Sequence, residues 1–229
     1  MGSGGTCGSQ VVVRKGIEVL NPYAVIMVGI AFGTDEEKQN IGDILVSKQL
    51  LLYESQRIGE SGTCNRGERS HASPLLISWL SHADADWNEA NGRVTQGLIL
   101  TGEKLIDNVG YRNSLIQFAP EAIGGEMEGA GLYVACQDKE TNWVLIKAIC
   151  DFADGNKGEN KDKHQELAAH NAARFILHAL HTAPLIKDGD KATESIHDGH
   201  AGQIYNSRQS YLISETGKPP FGGREAELT

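Results

Sequence analysis

The segment Gly125-Glu126-Met127-Glu128-Gly129 places two carboxylates on either side of a methionine. A carboxylate can accept hydrogen bonds from two hydroxyl groups at once, and a methionine side chain packs softly under a sugar ring. The pattern therefore suits a vicinal diol. Acidic residues in the first turn of a helix also complement the helix dipole, and for the segment taken alone that simpler interpretation is favoured.

A second acidic pair follows an apolar stretch near residue 150. The segment Lys147-Ala-Ile-Cys-Asp151-Phe-Ala-Asp154 is typical of a strand that runs into two aspartates three residues apart. General acids in α/β proteins tend to be found among the carboxylates at strand ends, where ligands also bind. A loop carboxylate that caps the next element is the alternative.

Glycines close an apolar run earlier in the chain. The sequence Gly29-Ile30-Ala31-Phe32-Gly33 follows the predicted strand Tyr23–Val28 and predicts a turn. Glycine permits close approach of the backbone to a ligand, and exposed N–H groups could hold an anion or a sugar hydroxyl. Ile30 is the candidate substrate-binding residue of this turn. A tight turn without a ligand is the alternative.

Apolar runs alternate with amphipathic segments along the chain. Strands are predicted at Tyr23–Val28, Asp43–Leu52, Val94–Thr101 and Trp143–Ile149, and helices at Ser9–Leu20, Ser73 to about His82, Glu126–Cys136 and Glu166–His181. This alternation predicts an α/β fold with a largely parallel sheet covered on both faces. The composition becomes polar and loses periodicity after Pro184. We therefore expect one domain over residues 1–184, followed by a polar tail or linker over residues 185–229.

Composition and charge exclude several classes of function. The 229 residues carry a formal net charge of −9, which disfavours a nucleic-acid partner. Apolar runs are too short to span a bilayer, and the start has no secretory signal pattern, so we expect no membrane partner and a cytoplasmic location. The four cysteines form no CxxC pair and predict free thiols. The eight histidines have no metal-site spacing, so no metal is expected.

Six short motifs occur together in one order. They are the Gly-rich start, Asn21-Pro-Tyr-Ala-Val-Ile-Met-Val-Gly-Ile-Ala-Phe-Gly33, Gly42-Asp43-Ile-Leu-Val-Ser, Gly97-Leu-Ile-Leu-Thr-Gly102, Glu126-Met-Glu128-Gly-Ala and Ala148-Ile-Cys-Asp151-Phe-Ala-Asp154. Over about Met1 to Leu180 they resemble the nucleoside phosphorylase and nucleosidase superfamily, which contains methylthioadenosine and S-adenosylhomocysteine nucleosidases. The resemblance implies a three-layer αβα sandwich around a twisted, mostly parallel mixed sheet. It also implies a homodimer or higher homo-oligomer and no organic cofactor.

The resemblance further implies cleavage of the N-glycosidic bond between a purine and ribose. Asp151 matches the acid that protonates N7 of the base, which needs a carboxyl group still partly protonated near neutral pH. Glu128 matches the carboxylate that binds the ribose hydroxyls and stabilises the ribosyl cation. Met127 matches the residue packed against the sugar. Glu126 beside it is a further substrate-binding candidate.

Two further positions carry expectations from the resemblance. Leu105-Ile106 match the segment whose backbone contacts the purine, and because the family usually has an aromatic ring at the Leu105 position, we expect weaker stacking here. Lys147 stands where related enzymes often carry arginine, and we expect it to orient Asp151. Both positions are therefore candidate substrate-binding residues.

Two departures from the family bear on the reaction. Phosphorylases of the superfamily bind phosphate through an arginine where this sequence has Met27, so hydrolysis is favoured over phosphorolysis. The nucleosidases also have an upstream segment with a water-activating glutamate, and this sequence starts downstream of it. The sequence is then a truncated form of a longer protein, or another residue substitutes, or the domain does not hydrolyse its ligand.

The expected function is therefore hydrolysis of an adenine nucleoside or nucleotide, with a phosphorylase and a catalytically impaired nucleotide-binding domain as alternatives. The segments around Glu128 and Asp151 resemble phosphorylase-like effector domains of bacterial defence proteins, some of which are similar to enzymes that remove adenine from ATP. A triphosphate would need cations. The candidates are Lys48, Arg57, Arg66, Arg69 and Lys157, although each is also typical of solvated surface charge.

Overall fold

The computed structural model describes residues 2–59, 62–65, 67–155 and 160–182. Their helices are α1 (Ser9–Leu20), α2 (Pro74–Ala85), α3 (Val109–Phe118), α4 (Gly129–Asp138) and α5 (Lys161–Thr182). Their strands are β1 (Ala24–Gly33), β2 (Ile44–Leu52), β3 (Gln56–Gly59), β4 (Gly62–Asn65), β5 (Arg69–His71), β6 (Val94–Thr101), β7 (Ala122–Glu126) and β8 (Asn142–Asp151). The predicted tail, residues 185–229, lies outside the described residues.

Six strands form one mixed sheet in the order β5-β2-β6-β7-β1-β8. The pairs β1–β8, β2–β6 and β6–β7 are parallel, whereas β1–β7 and β2–β5 are antiparallel. Strand β2 pairs in addition with β8, so β1, β7, β6, β2 and β8 form a closed ring. The α/β fold class with a mixed sheet is confirmed, and the sheet also closes on itself.

Two helix pairs pack against this sheet. Helix α1 packs on α4, which contacts β8, and α2 packs on α5, which contacts β8 and β1. The central strands β1 and β8 are buried along most of their length because helices and neighbouring strands cover them. This explains their nearly continuous apolar sequences, which are typical of strands with no solvent-facing side. None of the described helices is long and apolar enough to cross a membrane.

Strand β1 is longer than the sequence predicted. Residues Gly29–Gly33 do not form a turn but continue the strand, with Gly29 opposite Lys147 and Ile30 opposite Ala148 in a parallel ladder. A β-carbon at Gly29 would lie 2.9 Å from the Lys147 Nζ atom. The glycine is therefore required by a close side chain on the next strand. The predicted turn is therefore wrong, whereas substrate binding at Ile30 stays a prediction.

The predicted helix Glu126–Cys136 also has a different start. Gly124-Gly125 lie within β7, which ends at Glu126, and α4 begins at Gly129. A β-carbon at Gly125 would lie 2.2 Å from the Phe32 Cζ atom, and one at Gly124 would lie 2.4 Å from Leu45 Cδ1. The two glycines therefore mark close packing within the sheet rather than a turn.

Candidate active site

Three carboxyl-terminal strand ends meet at one place in the sheet. Phe32, near the end of β1, pairs with Gly125 of β7 on one side and with Asp151 of β8 on the other. Neighbouring strands lie about 4.8 Å apart, so the start of the Glu126–Glu128 segment is roughly 10 Å from the backbone of Asp151. The two acidic segments found in the sequence therefore face one region of the molecule.

A buried ammonium group connects the two glutamates of the first segment. Lys147 Nζ donates to Glu128 Oε2 at 2.7 Å and lies 3.4 Å from Glu126 Oε2. The Lys147 residue is only 2% exposed. Burial lowers the pKa of Lys147, but Glu128 and Glu126 raise it more, so its pKa lies above the ordinary value. Lys147 is therefore held in its charged form against both carboxylates.

The Glu126 carboxylate is enclosed at the start of α4. It accepts hydrogen bonds from the backbone N–H groups of Glu128 at 2.8 Å and Gly129 at 2.9 Å. Burial raises the pKa of Glu126, and the positive charge of Lys147 only partly opposes this. Glu126 therefore caps the helix, and its carboxylate fixes the backbone that carries Glu128.

Serine side chains from the start of the chain also hold this backbone. The Ser9 hydroxyl donates to the Glu128 carbonyl at 2.6 Å, and the Ser3 hydroxyl donates to the Met127 carbonyl at 3.1 Å. The Ser3 N–H donates in turn to Glu103 Oε1 at 2.9 Å. Met127 and Glu128 remain half-buried, so their side chains are positioned yet reachable. The sequence did not identify the two serines, although Ser9 begins the predicted first helix.

Asp151 lies at the end of β8 and is half-buried. Its Oδ1 atom accepts from the Ala153 N–H at 2.9 Å, and its Oδ2 atom accepts from the Cys150 thiol at 3.3 Å. Ala153 has a φ of 52°, in the left-handed region that is strained for alanine. The turn after β8 therefore folds around the carboxylate and fixes its direction.

Two side chains from the region around α3 hold this same turn. Arg112 Nη1 donates to the Phe152 carbonyl at 2.7 Å and to Glu36 Oε1 at 2.6 Å. Asp107 accepts from the Gly155 N–H at 3.1 Å. Sequence reasoning missed Arg112, because nothing in a single sequence indicates that an arginine forty residues upstream contacts the loop.

The remaining candidates lie in different environments. Leu105 is 74% exposed, whereas Ile106 is buried in a small apolar cluster that contains Ala153. The sequence predicted that Lys147 orients Asp151. In the structure Lys147 contacts Glu128 and Glu126 instead. Four residues of a strand span roughly 13 Å, which is more than a lysine side chain can bridge. The prediction that Lys147 orients Asp151 directly is therefore wrong.

Of the candidate cations for a triphosphate, the structure describes the side chains of Lys48 and Arg69. Lys48 is exposed on β2, and Arg69 forms an exposed ion pair with Glu121 at 2.7 Å. Arg66 and Lys157 lie outside the described residues, as does the side chain of Arg57. An exposed ion pair such as that of Arg69 with Glu121 contributes little to the stability of the fold.

The chain matches a family model and several known proteins. A sequence model of the Phosphorylase superfamily matches residues 5–181. A Death domain-containing ATP nucleosidase of Amphimedon queenslandica is 28% identical over 201 residues, which cover 78% of this chain and 37% of that protein. This chain thus spans little more than a third of the length of that relative. A 5'-methylthioadenosine/S-adenosylhomocysteine nucleosidase of Staphylococcus epidermidis is 27% identical over 164 residues, covering 70% of both chains.

Solved structures share the fold. The 5'-methylthioadenosine/S-adenosylhomocysteine nucleosidase of Neisseria meningitidis, in complex with methylthio-immucillin-A, superposes with a TM-score of 0.66 at 22% identity. The match covers 76% of each chain. Futalosine hydrolase of Helicobacter pylori superposes with a TM-score of 0.65 at 20% identity, covering 76% of this chain and 75% of that one.

Proposed function

Because the chain belongs to the phosphorylase superfamily, we propose that it hydrolyses the N-glycosidic bond of an adenine nucleoside or nucleotide. The observation that carries the proposal is the strand register that brings Asp151 and the Glu126–Glu128 segment to either side of Phe32. A site that cleaves this bond needs one group for the base and another for the ribose, and this arrangement supplies both.

Asp151 acts as the general acid in this proposal. Its carboxyl group donates a proton to N7 of the purine while the bond between C1′ and N9 breaks, and the bonding electrons leave with the base. Water then adds to C1′ and loses a proton, which restores the Asp151 carboxyl group by way of the solvent. The products are neutral adenine and the ribose of the substrate with whatever phosphates it carried. The hydrogen bonds from Ala153 and Cys150 hold the Asp151 carboxylate in one orientation for that transfer.

Glu128 binds the ribose and stabilises the positive charge that develops on it. Lys147 fixes the Glu128 carboxylate at 2.7 Å, so that the group is held in place before the substrate arrives. A preorganised negative charge in a partly buried site is more effective than the same charge in water. Met127 and Ile106 complete the surface around the sugar and the base, as the family resemblance implies.

Water rather than phosphate is the proposed nucleophile. Met27 occupies the position at which phosphorylases of the superfamily carry an arginine, and its side chain is buried within β1. A thioether offers no charge to a phosphate anion. The curated relatives and the solved structures cited above are also named as nucleosidases or hydrolases.

An adenine nucleotide is the proposed substrate class, and ATP is its leading member. This choice rests on the relative from Amphimedon queenslandica, which is named an ATP nucleosidase. We further propose that residues 1–184 form the catalytic domain, with residues 185–229 as a polar tail or linker, and that the domain acts in the cytoplasm as a homodimer or higher homo-oligomer. Light scattering of the purified chain tests the oligomeric state, and limited proteolysis tests the domain boundary.

Release of free adenine from ATP, AMP, adenosine and methylthioadenosine tests the reaction. We expect Asp151→Asn to release adenine about 10²–10⁴-fold more slowly than the wild-type chain, since the variant lacks a positioned acid. Asp138→Asn, at the exposed end of α4, is the matched control and should leave the rate unchanged. Full activity of Asp151→Asn would remove this residue from the mechanism.

Two other outcomes would overturn hydrolysis. Ribose 1-phosphate among the products, formed only when phosphate is added, would identify a phosphorylase. Binding of adenosine or ATP by calorimetry without any release of adenine, even at high protein concentration, would identify a ligand-binding domain instead.

A further inference from the structure

Phe32 lies between the two halves of the candidate active site. It pairs with Gly125 in the antiparallel ladder of β1 and β7, and with Asp151 in the parallel ladder of β1 and β8. Residues paired across neighbouring strands point to the same face of a sheet. The ladder shifts by one residue between Ala31 and Phe32, and this irregularity places Phe32 opposite Asp151. The ring and the acid therefore share one face of the sheet.

The Phe32 ring lies directly over Gly125. A β-carbon at Gly125 would lie 2.2 Å from Phe32 Cζ and 2.5 Å from Phe32 Cε1, so any larger residue would displace the ring. Phe32 is half-buried, and it packs against the apolar cluster that contains Ile106 and Ala153. The ring is thus held by its neighbours while part of its surface stays accessible.

Leu105 has none of these properties. It is 74% exposed, lacks a π-system and is not part of the cluster around Ile106 and Ala153. Phe32 packs against the cluster of Ile106 and Ala153 and pairs with Asp151, so a purine in contact with both would lie beside its ring.

We propose that Phe32 is the aromatic surface on which the purine stacks, in the place of an aromatic side chain at position 105. This inference rests on the proposed function. A base stacked on Phe32 lies next to the Asp151 carboxyl group, which is the geometry that protonation of the base needs. Gly125 is small because the ring occupies the space above it.

Adenine binding to the full chain tests the inference. Phe32→Leu keeps an apolar side chain over Gly125 but removes the π-face, and Phe32→Trp enlarges it. We expect Phe32→Leu to raise the Kd for adenine by about 5–140-fold, the range that corresponds to one base–aromatic stack. Phe32→Trp should keep the stack, so we expect its Kd for adenine to lie within about three-fold of the wild-type value. Val19→Ala, at an exposed apolar position of α1, is the matched control and should bind adenine as the wild-type chain does, and Leu105→Ala is measured for comparison.

The proton spectrum of adenine gives a readout that a merely structural role would not produce. Stacking on a ring moves the H2 and H8 resonances of bound adenine upfield. We expect this shift with the wild-type chain and its loss with Phe32→Leu, while circular dichroism confirms that the variant is folded.

The outcomes separate this inference from the proposed function. Unchanged adenine affinity and an unchanged upfield shift in folded Phe32→Leu would overturn the stacking role alone. Leu105→Ala with the larger loss of affinity would do the same, because it would place the base at position 105. A wild-type chain that neither binds adenine nor releases it would overturn the proposed function itself.

Discussion

The buried side chain of Lys147 packs so closely on Gly29 that it occupies the space where a larger residue would have its β-carbon. The two residues face each other in the parallel ladder of β1 and β8. A β-carbon at Gly29 would lie 2.9 Å from Lys147 Nζ and 3.2 Å from its Cδ atom. Lys147 has no freedom to withdraw, because Glu128 and Glu126 hold its ammonium group. The absence of a side chain at position 29 is therefore a condition for the charge network at the site.

We expect Gly29→Ala to destabilise the fold by about 1–3 kcal/mol, the usual cost of overpacking a well-packed core. Urea denaturation followed by circular dichroism measures the free energy of unfolding. Gly4→Ala is the control, because a β-carbon at Gly4 would meet no atom within 4 Å. Equal stability of the two variants would show that Lys147 can move aside at little cost.

We expect Lys147→Met to lower the free energy of unfolding by about 3–5 kcal/mol. The substitution removes the ammonium group from the buried Glu126 carboxylate and the half-buried Glu128 carboxylate, and leaves the Glu126 carboxylate without a compensating charge. Lys139→Met, which breaks an exposed pair with Glu18, should change stability by no more than about 0.5 kcal/mol. A small loss for both variants would contradict a strong coupling between Lys147 and the glutamates.

The raised pKa of Glu126 should be visible in the pH dependence of the free energy of unfolding. Burial raises the pKa of Glu126 above its ordinary value of 4.5, so the folded state binds this proton more tightly than the unfolded state. The stability that follows is fully present below pH 4.5 and is lost as pH rises through the raised pKa. Glu126→Gln cannot titrate. We therefore expect the stability of the wild-type chain, relative to this variant, to fall as pH rises from about 4.5.

Urea titrations of both chains from about pH 4 to about pH 8 measure this difference. Glu18→Gln, which alters an exposed carboxyl group, should run parallel to the wild-type chain. A relative stability that rises with pH would show that Lys147 and the helix start outweigh burial, and that the pKa of Glu126 is lowered.

Arg112 should matter for adenine release because it holds the turn that follows Asp151. Arg112→Met removes the donors to the Phe152 carbonyl and to Glu36, and we expect adenine release to slow by roughly ten-fold or more, since small displacements of a catalytic group are costly. Arg174→Met, which removes an exposed hydrogen bond to Asn91, is the control. Unchanged adenine release by folded Arg112→Met would show that the turn keeps its shape without this contact.

Local patterns predicted those elements whose burial follows from their own sequence. Helix α1 and strand β6 have the predicted bounds, because apolar spacing and flanking Asn or Gly residues mark their ends. Helix α3 was missed because only Leu115 among its residues is buried, which leaves no apolar stripe to detect. The side chain of Asn108, which accepts from the Tyr111 N–H, was the one local signal of its start.

The glycines show why the rest of the site could not be predicted in this way. A glycine in a single sequence is compatible both with a turn and with close packing in a strand. Close packing requires a glycine at position 29 because of Lys147, and at position 125 because of Phe32. Each of these side chains lies far from its glycine in the sequence and becomes its neighbour only through strand register. The motifs predicted which residue types lie in the candidate site, but not which carboxylates contact the Lys147 ammonium group.

The closed ring of strands makes the assembly of the candidate site depend on β8, which is the last strand among the described residues. Strand β8 must reach back over roughly a hundred residues to pair with β1 and with β2, and such non-local pairings slow folding. Both Lys147 and Asp151 arrive with that strand. A nascent chain that stops before β8 therefore lacks both Lys147 and the proposed proton donor, so the candidate site can form only after β8 has been synthesised.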